Sequence, residues 1–208
     1  MQSAPTGVAV IRAVTRARLP ILTIALTYAV SVIVGITLVH LGNASALAYR
    51  DKIVGDANRS EPAALARRQG NNIGAALLDS AANLTRGAVP MTTMGLSIVM
   101  PYPWVAYQGW IGGIVSVRGD HSSRLAELRP AWYYFLTLVL QLTACSLAVG
   151  SGVNVGIAMF RPPAYYLGAK WLGLFPKEAV RDLVRTYVLV IPLFLVASLW
   201  EFLSPWNF

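Results

Sequence analysis

The sequence predicts an all-α, polytopic transmembrane helix bundle of about five spans, with four as the alternative. Three observations predict it. The stretch from Pro130 to Phe160 carries no formal charge. Two further apolar runs, 20–41 and 183–204, lie toward the two ends of the chain. The whole chain is 56% hydrophobic and only 12% charged, where ordinary soluble domains carry roughly 25% charged residues. The 208 residues form one membrane domain and leave no room for a separate soluble one.

Residues 1–19 hold Arg12, Arg16 and Arg18 with no acid, a basic amphipathic segment suited to the interface. The first span, 20–41, opens on Pro20 and closes at Gly42-Asn43. Its apolar stretch exceeds the usual signal-peptide core, so no cleavage is expected. Residues 43–70 form a polar loop with a short helix over Ala63 to Arg68. Residues 71–117 are a broken polar and apolar helical region. In its first part Asn72, Asp79, Asn83 and Arg86 fall on one helical face. That face looks either into the bundle, as a span, or onto the membrane surface. Pro90, Pro101 and Pro103 interrupt the second part. The long span runs over 130–160, a basic amphipathic loop over 161–182 and the last span over 183–204. Lys and Arg divide almost evenly between the two sides of a five-span bundle, so charge fixes its orientation only weakly.

The net charge of +8 comes from arginines scattered among loops, with no basic groove studded by aromatics. It suits anionic headgroups, so bound lipids are expected and nucleic acid is not. The two histidines, His40 and His121, are far apart, and Cys145 is the single cysteine. No metal site is expected, and none of the residues predicts a cofactor. One histidine ligating a pigment held by a partner stays open. No nucleophile is paired with a base, so no enzyme is predicted.

Small residues recur at packing intervals: Ala144 and Ala148, Gly152 and Gly156, and Gly109 with Gly112 and Gly113. Such spacing lets helix backbones approach closely, inside the chain or against a partner. Asn154 and Gln141 are expected to hydrogen-bond between helices. Asp79 is expected to pair with Arg86 structurally, or else to serve transport. Glu201, between Trp200 and Phe202, reads as a hydrated helix-end anchor.

Several of these pieces stand in a familiar order. Asn71-Asn72 opens a moderately apolar helix. Gln108-Gly109-Trp110-Ile111-Gly112 resembles an NGxxG element with Gln for Asn. Pro130 begins the long span that ends in the glycine-rich Gly150 to Gly156, and Glu201-Phe202-Leu203-Ser204-Pro205 closes the last span. Over roughly residues 70–205 the chain resembles the stage II sporulation protein M family. The resemblance implies a helical, polytopic protein of the bacterial cytoplasmic membrane that works in a complex with other integral membrane proteins. In spore formers that complex belongs to the engulfment machinery, and homologues also occur in bacteria that never sporulate. Members commonly carry Pro-His-Gly and a Glu at the start of the long span. Here Pro130-Ala131-Trp132-Tyr133-Tyr134-Phe135 replaces them with aromatics suited to lipid or partner contact.

Two functions follow as expectations. The first is a non-enzymatic accessory or scaffold subunit that packs against other membrane proteins. The alternative is a transporter or permease-like protein with a polar intramembrane site around Asp79 and Arg86.

Overall fold

A computed structural model describes residues 6–204. Residues 1–5, and Pro205 of the family-like ending, lie outside the described residues. The fold is all-α apart from one small hairpin. Among the described residues, three helices are long and apolar enough to cross a membrane: α2 (Arg18–His40), α8 (Leu128–Phe160) and α9 (Lys177–Leu203).

Helix α1 (Thr6–Arg16) leads into α2, where Pro20 sits in the first turn. A proline is tolerated there because first-turn N–H groups have no intrahelical partner. Helix α2 is apolar all round. Ile24, Tyr28, Val32, Gly35 and Val39 form its buried stripe, while Leu22, Leu26, Val30 and Ile33 stay exposed. An apolar face left outside the bundle suits hydrocarbon rather than water. Gly42 ends α2 at a φ of 72°, a left-handed conformation in which a Cβ would be strained.

The polar stretch after α2 folds as two helices, α3 (Ala44–Ser60) and α4 (Pro62–Arg68). Asn43 caps α3 by accepting from the Ala46 N–H at 3.0 Å. Tyr49 packs on Trp110 with ring centroids 5.1 Å apart, and its hydroxyl lies 2.7 Å from that of Tyr107. Arg50 donates to the Val117 carbonyl at 3.1 Å, and Asp51 pairs with His121 at 2.9 Å. Hydrogen bonds from His121 and Arg50 hold the exposed Asp51 carboxyl below its ordinary value. A lowered folded-state value means the tie is present above the ordinary carboxylate range and is lost as pH falls through the lowered one. The protection of the Arg118 amide, whose N–H donates to the Ser122 carbonyl, relative to a free amide at the same pH should therefore hold steady at neutral pH and fall only in strong acid.

Asn71 then caps α5 (Asn72–Ala82) by accepting from Gly74 N–H at 2.8 Å. A π-helical segment, Asn83–Ala88, joins α5 to α6 (Val89–Gly95) without leaving helical backbone. The wider turn falls just before Pro90, whose ring would crowd the Arg86 carbonyl in a regular helix. At about 1.5 Å per residue this continuous helix is about 36 Å long. The chain reverses at 96–100, with Ile98 at a φ of 68°. It returns as α7 (Pro101–Ile114), parallel to α2: Tyr102 bonds Thr23 near the start of both, and Ile114 packs with Val39 and Ala46 near the end.

Helix α8 is the central element. Every residue from Ala144 to Gly156 is buried. A helix wrapped on all sides needs small residues, because side chains on every face would hold its neighbours off. A Cβ on Gly150 would sit 2.6 Å from Ile21 Cα of α2. A Cβ on Gly152 would collide with the Thr92 carbonyl oxygen of α6, and one on Gly156 would meet Leu96 O at 2.7 Å. Ala144 and Ala148 have no solvent exposure. A second close seam joins α7 to α2. There a Gly109 Cβ would come 2.5 Å from Tyr28 O, and one on Gly113 would strike Val32 O. Gly112 is looser, facing Leu138 and the Tyr28 hydroxyl. Both small-residue faces are thus spent inside the chain.

Between α8 and α9 lie a short 3-10 turn (Ala164–Tyr166) and a hairpin of β1 (Lys170–Trp171) and β2 (Phe175–Pro176). Helix α9 begins at Lys177, earlier than the span expected over 183–204. Its added first turns carry an ion network. Asp182, 2% exposed, accepts from Arg16 at 2.9 Å, Arg185 at 2.8 Å and the Tyr166 hydroxyl at 3.1 Å. Arg16 also lies 5.1 Å from the Tyr165 ring centre. This network ties the amphipathic α1 to α9.

Candidate functional site

The bundle opens into a cavity of about 1030 Å³ at the end that holds the carboxyl terminus of α9. The α5–α6 helix, α7, α8 and α9 wall it, and α4 with the end of α3 covers it from outside. Asp79 and Asn83 are one helical turn apart, and Asn83 Nδ2 donates to Asp79 Oδ2 at 2.9 Å. The Ser198 hydroxyl of α9 donates to the same oxygen at 2.7 Å. On the adjoining wall Gln141 Nε2 donates to Glu201 Oε2 at 3.2 Å. These hydrogen bonds to the two carboxylates all come from neutral groups.

Three expectations change here. Asp79 does not pair with Arg86. The Arg86 guanidinium instead makes two bonds to Glu61, at 3.3 and 2.7 Å, because the α3–α4 junction brings Glu61 over the π-helical segment. Glu201 is not a hydrated helix-end anchor. It faces inward and lines the cavity, because α9 packs against α8 and α5 along that side. Asn154 makes no helix–helix bond. Its amide donates to the Tyr166 hydroxyl in the 3-10 turn, at the far end of the bundle from the cavity.

The sequence therefore brings Asp79, Asn83, Arg86 and Glu201 to one place and leaves Asn154 apart. Asn72, placed on the same helical face, is exposed at the start of α5 and does not line the cavity. Glu61, Arg67, Gln108 and Ser198 were not foreseen as members of this site. No pattern marks Glu61, which stands in a polar stretch before Pro62. Gln141 was visible as an isolated polar residue in an uncharged run, but its carboxylate partner is remote in sequence.

Aromatics complete the lining: Tyr28, Trp104, Phe194 and Phe202. The Arg67 guanidinium lies 5.9 Å from the Phe202 ring centre. A smaller cavity of about 120 Å³ shares Gln141 and Glu201 with the large one. Arg124, Tyr133, Tyr134 and Trp200 are among its other walls. Tyr133 stacks on Trp200 at 4.7 Å, and Tyr134 donates to the Gly112 carbonyl at 2.6 Å. Two of the aromatics at the start of α8 thus pack inside the protein, while Trp132 and Phe135 remain exposed. The Gln141–Glu201 pair is a partition between two polar spaces.

Comparison with family models, with curated proteins and with solved structures returns no match to this chain.

Proposed function

We propose that the chain is a transporter-like protein of the bacterial cytoplasmic membrane, crossing it five times and holding a polar solute site between its helices. The observation that carries this reading is the pair Asp79 and Glu201, two carboxylates that line one cavity and are hydrogen-bonded by neutral donors. Ionisable groups within a bundle are costly, and they mark solute and ion paths. A π-helical turn in a helix wall often marks a functional site, and here Asn83–Ala88 carries Asn83, Arg86, Gly87 and Ala88 to the cavity. The two added crossings are the α5–α6 helix and the short α7, whose ends match those of α8 and α2.

An accessory subunit of a larger complex is the second reading, and the resemblance to the stage II sporulation protein M family favours it. Its main physical support, the small-residue faces, is consumed by contacts within the chain. Isolation from native membranes in mild detergent distinguishes the two. A stoichiometric membrane partner would favour the subunit reading, and a lone monomer or homo-oligomer the transporter.

Thiol accessibility tests the solute site itself. In a Cys145→Ala background, Ala82→Cys lines the cavity, whereas Val196→Cys sits on an exposed face of α9. A water-soluble maleimide should modify the first and spare the second, which hydrocarbon or detergent covers. Equal inertness of both would overturn the reading.

A further inference from the structure

We infer that the cavity receives an organic cation, an ammonium group carried on an apolar body. This rests on the transporter-like reading and names its ligand. Size is the first argument. A volume of about 1030 Å³ is far beyond a bare metal ion and matches the upper range of small-molecule pockets, roughly 300–1,000 Å³. Charge is the second. Three cationic side chains line the cavity: Arg86 is bound by both oxygens of Glu61, Arg67 lies by the Phe202 ring, and Arg68 is exposed to the outside on α4. Asp79 and Glu201 take their hydrogen bonds from an amide, a hydroxyl and an amide. Among the described residues, no cation is hydrogen-bonded to these two carboxylates. The third argument is the aromatic part of the lining. Tyr28, Trp104 and Phe194 present aromatic rings, which attract cations through their electron-rich faces and accept an apolar body. Arg67 beside Phe202 is an internal example of the same attraction. An anion would face two carboxylates. A neutral apolar molecule would bring no charge to meet them.

Such a cation could arrive from water or as the amine headgroup of a lipid, and the test separates these sources. The single-cysteine protein Ala82→Cys, in Cys145→Ala, is held in detergent with phosphatidylglycerol. Its rate of modification by a neutral maleimide is then followed against benzyltrimethylammonium, benzyl alcohol or benzenesulfonate. The cation should slow modification saturably, and the neutral and anionic analogues should not. Asp79→Asn and Glu201→Gln, which keep size and hydrogen-bonding capacity, should each weaken protection by about tenfold. If phosphatidylethanolamine alone slows modification, and the two substitutions relieve it, the cation is a lipid headgroup. Equal protection by all three analogues, or protection unchanged in both variants, would overturn the inference. So would a cysteine that reacts readily and that no cation protects. A cysteine that never reacts would instead count against the water-filled cavity itself, so the two failures are distinguishable.

Discussion

Gly152→Ala is expected to destabilise the protein strongly, although it adds one methyl group to a helix and raises helix propensity. The new Cβ would collide with the Thr92 carbonyl oxygen, and the Thr92 carbonyl carbon and Cα lie 3.0 and 3.1 Å away. All three are backbone or Cα positions that cannot rotate aside. The facing glycine is equally tight, since a Cβ on Gly95 would stand 2.7 Å from Val153 N. Relief requires α6 and α8 to separate, which loosens contacts along the whole seam. Overpacking of this kind costs about 1–3 kcal/mol. The control is Gly7→Ala in α1, where nothing lies within 4 Å of the added atom. It should be neutral or stabilising by about 0.5–1 kcal/mol. Unfolding of both variants in mixed micelles by a denaturing detergent measures the difference. Equal stability would mean that the α6–α8 seam is not formed.

Asp182→Ala should have the next largest effect. Its carboxylate is buried and takes bonds from Arg16, Arg185 and Tyr166. Removing it leaves the Tyr166 hydroxyl without its acceptor, Arg16 with only Glu178 at 3.9 Å, and Arg185 on Glu178 alone at 2.7 Å. Breaking a fully buried pair costs about 3–5 kcal/mol. Arg16 and Arg185 are about one-quarter to one-third exposed, and that screening brings the expectation to about 2–3 kcal/mol. The loss should be local as well as global. Helix α1 is held to α9 through this residue, so amide exchange should rise over 6–16 before it rises in α8. Asp182→Asn retains an acceptor for Tyr166 and should fall between the two. A variant with α1 as protected as in the parent would show that apolar packing, not the ion network, holds α1 in place.

The all-helical class and the main apolar helices were legible in the sequence because uncharged runs of this length are hard to accommodate in a water-soluble fold. The packing role of Gly109, Gly113, Gly152 and Gly156 was legible from spacing, but not which helices they would meet. Glycine intervals describe one helix face, and the partner face carries a separate pattern. That Asp79, Asn83 and Arg86 share one face was legible as helical periodicity, but whether that face turned inward was not. Its partners were not, because Glu61, Gln141, Ser198 and Glu201 come from distant segments that only the tertiary fold unites. The ion network on α9 was missed because its acids and arginines read as an ordinary solvated, amphipathic loop. The mixed-charge stretch after α2 showed the short α4 but hid α3, since polar residues on a surface helix and in a loop look alike.

The sidedness of the turn at 96–100 tests the five-crossing bundle most directly. Single cysteines at Asn58, Val99 and Lys170, each in Cys145→Ala, are reconstituted in sealed vesicles of one orientation and treated with a membrane-impermeant maleimide. Val99 is 69% exposed, so access does not limit the reaction. Val99→Cys should react from the same face as Lys170→Cys and from the face opposite Asn58→Cys. Reaction of Val99→Cys from the Asn58 face would mean that the α5–α6 helix and α7 enter and leave on one side. A bundle with three crossings would then replace the one with five.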